Sequence, residues 1–177
     1  MIRKTFTKLV YGLKTKLYES GKHHDVTAVD HRVELVRGGE GPPLLYLHSV
    51  IGETRWLPFH QKLAKSFDVI APAHPGLGGT EAVGFDAVED VVFHYLDLLD
   101  ALELRSVNLV GVSFGGWIAA ELAVRAPERV RRLVLADAFG MSVGDAPTSD
   151  VASIRHDVRA LRAVVFAAPD GPMADIA

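Results

Sequence analysis

Five residues around Ser113 have the types and spacing of a serine prepared for nucleophilic attack. The chain reads Gly111-Val112-Ser113-Phe114-Gly115 where an apolar run changes into a helical pattern. A serine at so sharp a turn leaves no room for side chains two positions away, and glycine occupies both places. The turn would aim the Ser113 hydroxyl at the free N–H groups that begin the next helix, which favour negative charge. Ser113 is therefore our candidate nucleophile.

A serine hydroxyl needs a histidine to accept its proton and an acid to orient that histidine. The one histidine that follows Ser113 in the chain is His156, which lies inside a predicted helix. Asp137 is the candidate acid because it directly follows an apolar strand pattern, where catalytic groups gather in open α/β sheets. Capping of the turn before Phe139 is the alternative role for Asp137.

The elements that must position these residues alternate between strands and helices. The predicted strands are a hairpin within 26–36 and the segments 44–47, 67–71, 106–112 and 130–136. The predicted helices cover 54–66, 85–102, 113–126 and 151–166, and Pro127 ends the third of them. This alternation predicts an α/β fold, a mostly parallel sheet with helices on both faces.

Residues 1–22 form a separate compositional unit ahead of a core predicted at 23–140. They hold six lysines and arginines against Glu19, a net charge of +5, and their apolar residues recur at helical spacing. We expect an amphipathic basic helix. It either makes peripheral contact with an anionic membrane or a partner, or docks on its own domain with its lysines in water.

Composition excludes several classes of function. The 177 residues are 49% hydrophobic and 23% charged with a net charge of −3, which fits a globular core and gives no basic face for nucleic acid. The absence of cysteine excludes disulfides and thiolate ligands and is compatible with a cytoplasmic protein; no cofactor and no metal are expected. Six histidines before Ser113 lack metal-ligand spacing and are expected on the surface or in loops: His23, His24, His31, His60, His74 and His94.

Three motifs follow successive predicted strands: His48-Ser49-Val50-Ile51-Gly52, Pro75-Gly76-Leu77-Gly78 and the turn at Ser113. They occur in the order found in the α/β-hydrolase superfamily, which residues 26–139 resemble. The resemblance implies an oxyanion hole built from the N–H groups of Val50 and Phe114. It also implies that His48 holds its loop and does not act as a base. Ser49 stands where many relatives have glycine.

The resemblance further implies a catalytic histidine on a loop after the last strand, so His156 does not fit that role. We therefore expect the chain to represent the N-terminal part of a longer hydrolase, ending within a lid that begins in 141–177, and to be inactive alone. The strand 130–136 would then be an exposed apolar edge, which predicts self-association.

The resulting hypothesis is a serine hydrolase that acts on an ester, thioester or C–C bond of a small carbonyl substrate through an acyl-enzyme. Trp117 and Phe139 are candidate substrate-binding residues, and Trp56, Phe59 and Phe114 either join them or belong to the core. A ligand-binding or interaction protein that keeps the fold without turnover is the first alternative. An acyltransferase or cofactor-free perhydrolase using the same serine is the second.

Overall fold

The computed structural model describes residues 21–140 together with Asp157, Arg159, Ala160 and Ala163. The chain divides into two units, Tyr18–Met141 and a unit formed by Met1–Leu17 with Ser142–Ala177. All elements below belong to the first unit. In the second, Arg159, Ala160 and Ala163 are helical, within the helix predicted at 151–166. The predicted basic helix and His156 lie outside the described residues, and the proposed domain bounds stay predictions.

A six-stranded sheet forms the centre of the first unit. Its strands are β1 (Lys22–Ala28), β2 (His31–Gly38), β3 (Pro43–Leu47), β4 (Asp68–Pro72), β5 (Val107–Val112) and β6 (Val130–Ala136). They lie in the order β1-β2-β4-β3-β5-β6. The first two pairings are antiparallel, whereas β4, β3, β5 and β6 run parallel. The predicted mostly parallel sheet with an entry hairpin is confirmed.

Helices cover both faces of this sheet. They are α1 (Pro58–Leu63), α2 (Val88–Ala101) and α3 (Phe114–Arg125), and a short 3-10 helix follows at Pro127–Arg129. Alternate residues of β3 show the division, since Leu45 packs with α2 and α3 while Tyr46 packs with α1. The predicted covering of the sheet on both faces is confirmed.

Two helices begin later than their apolar patterns predict. Pro58 opens α1, and the Leu57 N–H donates to His60 Nδ1 at 3.0 Å, so the chain before it is not helical. The Asp90 carboxylate accepts the N–H groups of residues 86 and 87 at 3.0 Å each, which caps α2 at Val88. Side-chain caps therefore set these starts.

Two of the candidate pocket residues belong to the hydrophobic core. Trp56 is buried in the cluster of apolar side chains under α1. Phe59 packs against this cluster and contacts the Tyr46 ring. The Trp56 indole N–H donates to Gln61 at 3.0 Å, so its polar end is also paired within the core. Trp56 and Phe59 are core residues.

Strand β6 ends the sheet. Leu133 and Val134 in this strand are 38% and 54% exposed, which is unusual for a strand of a parallel sheet. Self-association through this edge stays a prediction. Among the described residues, no helix has the length and apolarity that a bilayer crossing requires.

Candidate active site

Ser113 lies between β5 and α3 in a strained backbone conformation. Its φ is 54° and its ψ is −116°, a region that side chains rarely adopt. The Ser113 N–H donates to the Ala136 carbonyl at 3.0 Å, and the Phe139 N–H donates to the Ser113 carbonyl at 3.0 Å. The end of β6 therefore holds the strained turn in place.

The two glycines of the turn are required by close backbone packing. A Cβ at Gly111 would lie 2.4 Å from the Gly115 carbonyl oxygen, and one at Gly115 would lie 2.2 Å from the Leu47 carbonyl oxygen. Neither contact can be relieved by moving a flexible side chain. The steric reason that the sequence gives for this spacing is confirmed.

The loop after β3 faces the turn across adjacent strands and is heavily hydrogen bonded. The Glu53 carboxylate accepts the Ser49 N–H at 2.9 Å and the Ser49 hydroxyl at 2.7 Å. The same hydroxyl oxygen accepts the Ile51 N–H at 3.1 Å, and the Ser49 carbonyl accepts the Gly52 N–H at 3.2 Å. Three of the four amides from Ser49 to Gly52 are thus engaged.

Two amides of these segments have no hydrogen-bond partner in the described part of the chain. Neither the Val50 N–H nor the Phe114 N–H donates to another described residue, whereas the Gly115 N–H donates to the His48 carbonyl at 3.2 Å. Unpaired donors at a helix start and in an adjacent loop are the arrangement that stabilises an oxyanion. The Ser113 hydroxyl likewise has no hydrogen bond to a described residue.

His48 holds this loop and has no free nitrogen for proton transfer. Its Nδ1–H donates to the Ser49 carbonyl at 2.7 Å, and its Nε2 accepts the His74 backbone N–H at 2.9 Å. These partners fix the neutral tautomer, and burial lowers the pKa of His48. The structure therefore agrees with the loop-holding role.

His74 and Tyr95 continue this network into the core. The His74 Nε2–H donates to the His48 carbonyl at 2.8 Å, so its Nδ1 accepts the Tyr95 hydroxyl through a short hydrogen bond. Burial lowers the pKa of His74 to about 3 and raises that of Tyr95. Both side chains are neutral and fully paired.

The expected surface or loop position of six histidines is wrong for two of them. His60 and His94 lie in helices and are at most 3% exposed, whereas His74 is buried but lies in the loop after β4, as expected. His94 lies on the apolar face of α2 beside Val91, and His60 packs edge-on against Tyr46. The periodic apolar pattern of α2 was a signal that could have found His94.

Asp137 lies one residue beyond β6, next to the strained turn. It is exposed, its φ is 47°, and its carboxylate has no hydrogen bond or ion pair with a described residue. Main-chain bonds on both sides, at Ala136 and Phe139, fasten this segment to Ser113. The carboxylate is thus available to a further partner at the same edge of the sheet.

The remaining candidate residues lie at this edge too. Phe139 is 49% exposed, and the half-buried Trp117 packs against Phe114 with ring centroids 6.3 Å apart. Gly140 lies against the Trp117 indole, since a Cβ there would be 3.1 Å from it. The segment after β6 and the start of α3 therefore share an apolar surface.

A cavity of about 850 Å³ lies elsewhere, where α2 leads into β5 and the 3-10 helix leads into β6. Its wall includes Asp100 and Arg129, which pair at 2.8 Å, and Arg129 also donates to the Leu104 and Arg105 carbonyls. These groups are satisfied by one another. The cavity lies at the start of β5, the opposite end of that strand from Ser113.

Comparison with known proteins identifies the family. A family model described as the alpha/beta hydrolase fold matches residues 42–177. The chain therefore belongs to the α/β-hydrolase fold family, in agreement with the sheet order and the turn at Ser113.

Two curated relatives are named hydrolases. The 2-hydroxymuconate semialdehyde hydrolase of Pseudomonas sp. (strain CF600) is 46% identical over 125 residues, which cover 67% of this chain and 44% of the relative. The 2-hydroxy-6-oxo-2,4-heptadienoate hydrolase of Pseudomonas putida is 37% identical over 137 residues, 76% of this chain and 44% of the relative. The chain thus spans less than half the length of these relatives.

Solved structures agree on the fold. A bacterial membrane phospholipase A superposes with a TM-score of 0.69 at 26% identity, covering 88% of this chain and 48% of that one. A meta-cleavage product hydrolase superposes with a TM-score of 0.60 at 27% identity, covering 77% and 56% of the two chains.

Proposed function

We propose that Ser113 attacks the carbonyl carbon of a small substrate and forms an acyl-enzyme. The observation that carries the proposal is a pair of amides without a partner among the described residues: Phe114, which follows the strained serine in the chain, and Val50, in the loop that follows the neighbouring strand β3. Each such donor typically lowers the barrier by a few kcal/mol, because it is aligned before the oxyanion forms. The strain at Ser113 supports the same assignment, since strained residues cluster at active sites.

The proposed reaction has two steps. Ser113 Oγ attacks the carbonyl, its proton passes to a histidine base, and the carbonyl oxygen takes the negative charge between the Val50 and Phe114 amides. Collapse of this intermediate expels the leaving group with that proton and leaves an ester on Ser113. Water then releases the acid. In this scheme Asp137 orients the base, which comes from outside the described residues.

The substrate class is inferred from the relatives and from the apolar edge. Relatives named for 2-hydroxymuconate semialdehyde and 2-hydroxy-6-oxo-2,4-heptadienoate favour hydrolysis of a C–C bond beside a carbonyl by the whole protein. The exposed Phe139 and the half-buried Trp117 would receive the apolar part of such a substrate. Binding without turnover is the second candidate, favoured by the lack of a described polar partner for the Ser113 hydroxyl.

The test is covalent labelling of Ser113. We expect a fluorophosphonate to modify Ser113 in the intact chain, and exogenous imidazole to accelerate the reaction by supplying a base. The phosphoryl oxygen of the adduct would occupy the oxyanion position. The modified residue is identified by peptide mass spectrometry, and the rate is followed with and without imidazole.

Two variants make this test specific. Ser113→Ala should abolish labelling, whereas Ser66→Ala, at an exposed serine after α1, should label like the parent chain. Labelling that persists in Ser113→Ala, or no labelling even with imidazole, would contradict the proposal. Binding of a dienoate without labelling would support the non-catalytic candidate.

A further inference from the structure

We propose that Glu53 and Ser49 are positioning residues that leave the Val50 N–H as the one free donor among the four amides from Ser49 to Gly52. The inference rests on the proposed function, because it concerns the oxyanion hole of that same site. Ser49 follows His48 directly, and Glu53 lies four residues later in the same loop. Together they form what we call the loop clamp.

Among the four amides from Ser49 to Gly52, every one except that of Val50 donates to the clamp residues. Glu53 takes the Ser49 N–H at 2.9 Å through one oxygen and the Ser49 hydroxyl proton at 2.7 Å through the other. Because its proton is held by Glu53, the Ser49 hydroxyl presents a lone pair to the Ile51 N–H at 3.1 Å. The Gly52 N–H closes the turn on the Ser49 carbonyl at 3.2 Å.

The charge and burial of the clamp make it strong. The Ser49 residue is 6% exposed and the Glu53 side chain 22% exposed, so water competes weakly for these bonds. Hydrogen bonds to an ionised carboxylate are roughly twice as strong as neutral ones. The neighbouring His48 is held neutral by its own backbone partners, so the carboxylate bonds to Ser49 and not to an imidazolium.

Loss of the clamp should therefore loosen the donor without removing it. In Glu53→Ala the Ser49 hydroxyl is free to rotate, the Ile51 N–H loses its oriented acceptor, and the loop can present Ser49 or Ile51 in place of Val50. Small misplacements of a donor typically cost about ten- to a hundredfold in rate. Initial binding of the probe, which does not need the oxyanion donor, should change little.

The experiment measures saturation kinetics of Ser113 labelling by the fluorophosphonate in the full chain with imidazole. We expect Glu53→Ala to lower the maximal labelling rate about tenfold or more, with a nearly unchanged half-saturation concentration. Ser49→Ala should show a smaller loss, and Ser49→Thr, which keeps the hydroxyl, should restore most of the rate. In the Ser49→Ala background, Glu53→Ala should cost less than in the parent chain.

Controls separate this inference from folding and from the proposed function. Glu40→Ala, at an exposed position at the opposite end of β3, should leave both kinetic constants unchanged. If Glu53→Ala fails to fold by circular dichroism, the Ser49→Ala and Ser49→Thr pair gives the answer. If the parent chain is labelled at Ser113 and both Ser49→Ala and folded Glu53→Ala have the same maximal rate as the parent, the clamp alone is overturned. If the parent chain is not labelled, the proposed function is overturned.

Discussion

Two buried pairs of histidines in this protein are built differently. The loop pair, His48 and His74, has ring centroids 3.8 Å apart, and all four of its ring nitrogens have partners. The hairpin pair, His31 and His94, stacks with centroids 4.8 Å apart and a nitrogen contact of 2.7 Å. In this second pair, His94 Nε2 is buried and has no partner among the described residues.

The contrast separates a fully bonded positioning network from a pair that is joined by one hydrogen bond and leaves a buried nitrogen without a partner among the described residues. The loop pair joins the loop after β3 to the segment after β4. The His48 backbone carbonyl also accepts the Gly115 N–H of α3. The hairpin pair joins β2 to α2, away from Ser113, and Asp30 accepts from its exposed end at 3.2 Å. A buried polar network that is fully satisfied specifies one geometry, while an orphaned nitrogen carries a desolvation cost. Loss of hydrogen bonding should therefore cost more stability in the loop pair than in the hairpin pair.

Replacement of one histidine in each pair by leucine gives the largest expected difference. His74→Leu removes the donor to the His48 carbonyl and strands the Tyr95 hydroxyl, so we expect a loss of about 3 kcal/mol in the free energy of unfolding. His94→Leu removes the orphaned nitrogen together with one hydrogen bond to the partly exposed His31, so the two effects oppose each other and stability should change by less than about 1 kcal/mol. Urea unfolding at neutral pH measures both, and equal losses would remove the distinction between the pairs.

The next effect concerns the tyrosine that completes the loop pair. Tyr95→Phe leaves the packing of the ring intact but deprives His74 Nδ1 of its donor, and we expect a loss of about 1 to 2 kcal/mol. In a His74→Leu background the same change should be neutral or stabilising, because there the hydroxyl is already stranded. A double-mutant cycle from urea unfolding checks this reversal of sign, and additive losses would show that Tyr95 acts independently of His74.

The sequence predicts what depends on local spacing. The turn at Ser113 follows from a steric requirement between residues two apart, and the strands follow from short apolar runs, so both are correct. The loop pair could not be found in this way, since His48 and His74 are 26 residues apart and meet only after β3 and β4 pair. Side-chain contacts between distant segments leave no periodic pattern.

The contact between Ser49 and Glu53 in the loop clamp could not be predicted from the sequence either, although the two residues are close in the chain. Ser49 and Glu53 are four residues apart, but outside a helix that spacing predicts no contact, and the turn between them is set by the surrounding loop. Asp137 marks the other limit. Its place after β6 agrees with the strand pattern, but its proposed catalytic role requires a histidine from outside the described residues.

The smallest effect is the pH dependence of stability that the hairpin pair contributes. Burial lowers the pKa of His94 from 6.5 to about 4, so between these values the unfolded chain binds the extra proton and the folded protein does not. Stability from His94 is therefore present above pH 6.5 and declines as the pH falls toward 4. Between pH 7.5 and 5.5 the decline is about 1 kcal/mol.

His94→Leu should remove this share of the decline, so the variant gains on the parent protein as the pH falls from 7.5 to 5.5. Urea unfolding at the two pH values measures the difference. Val91→Ala, on the same face of α2, is the matched control: it lowers stability by making a cavity, and by the same amount at both pH values. Parallel pH dependence in the parent protein and His94→Leu would mean that His94 becomes charged in the folded state. The unpaired nitrogen would then be a site that accepts a proton, in contrast to the loop pair, whose nitrogens are all occupied.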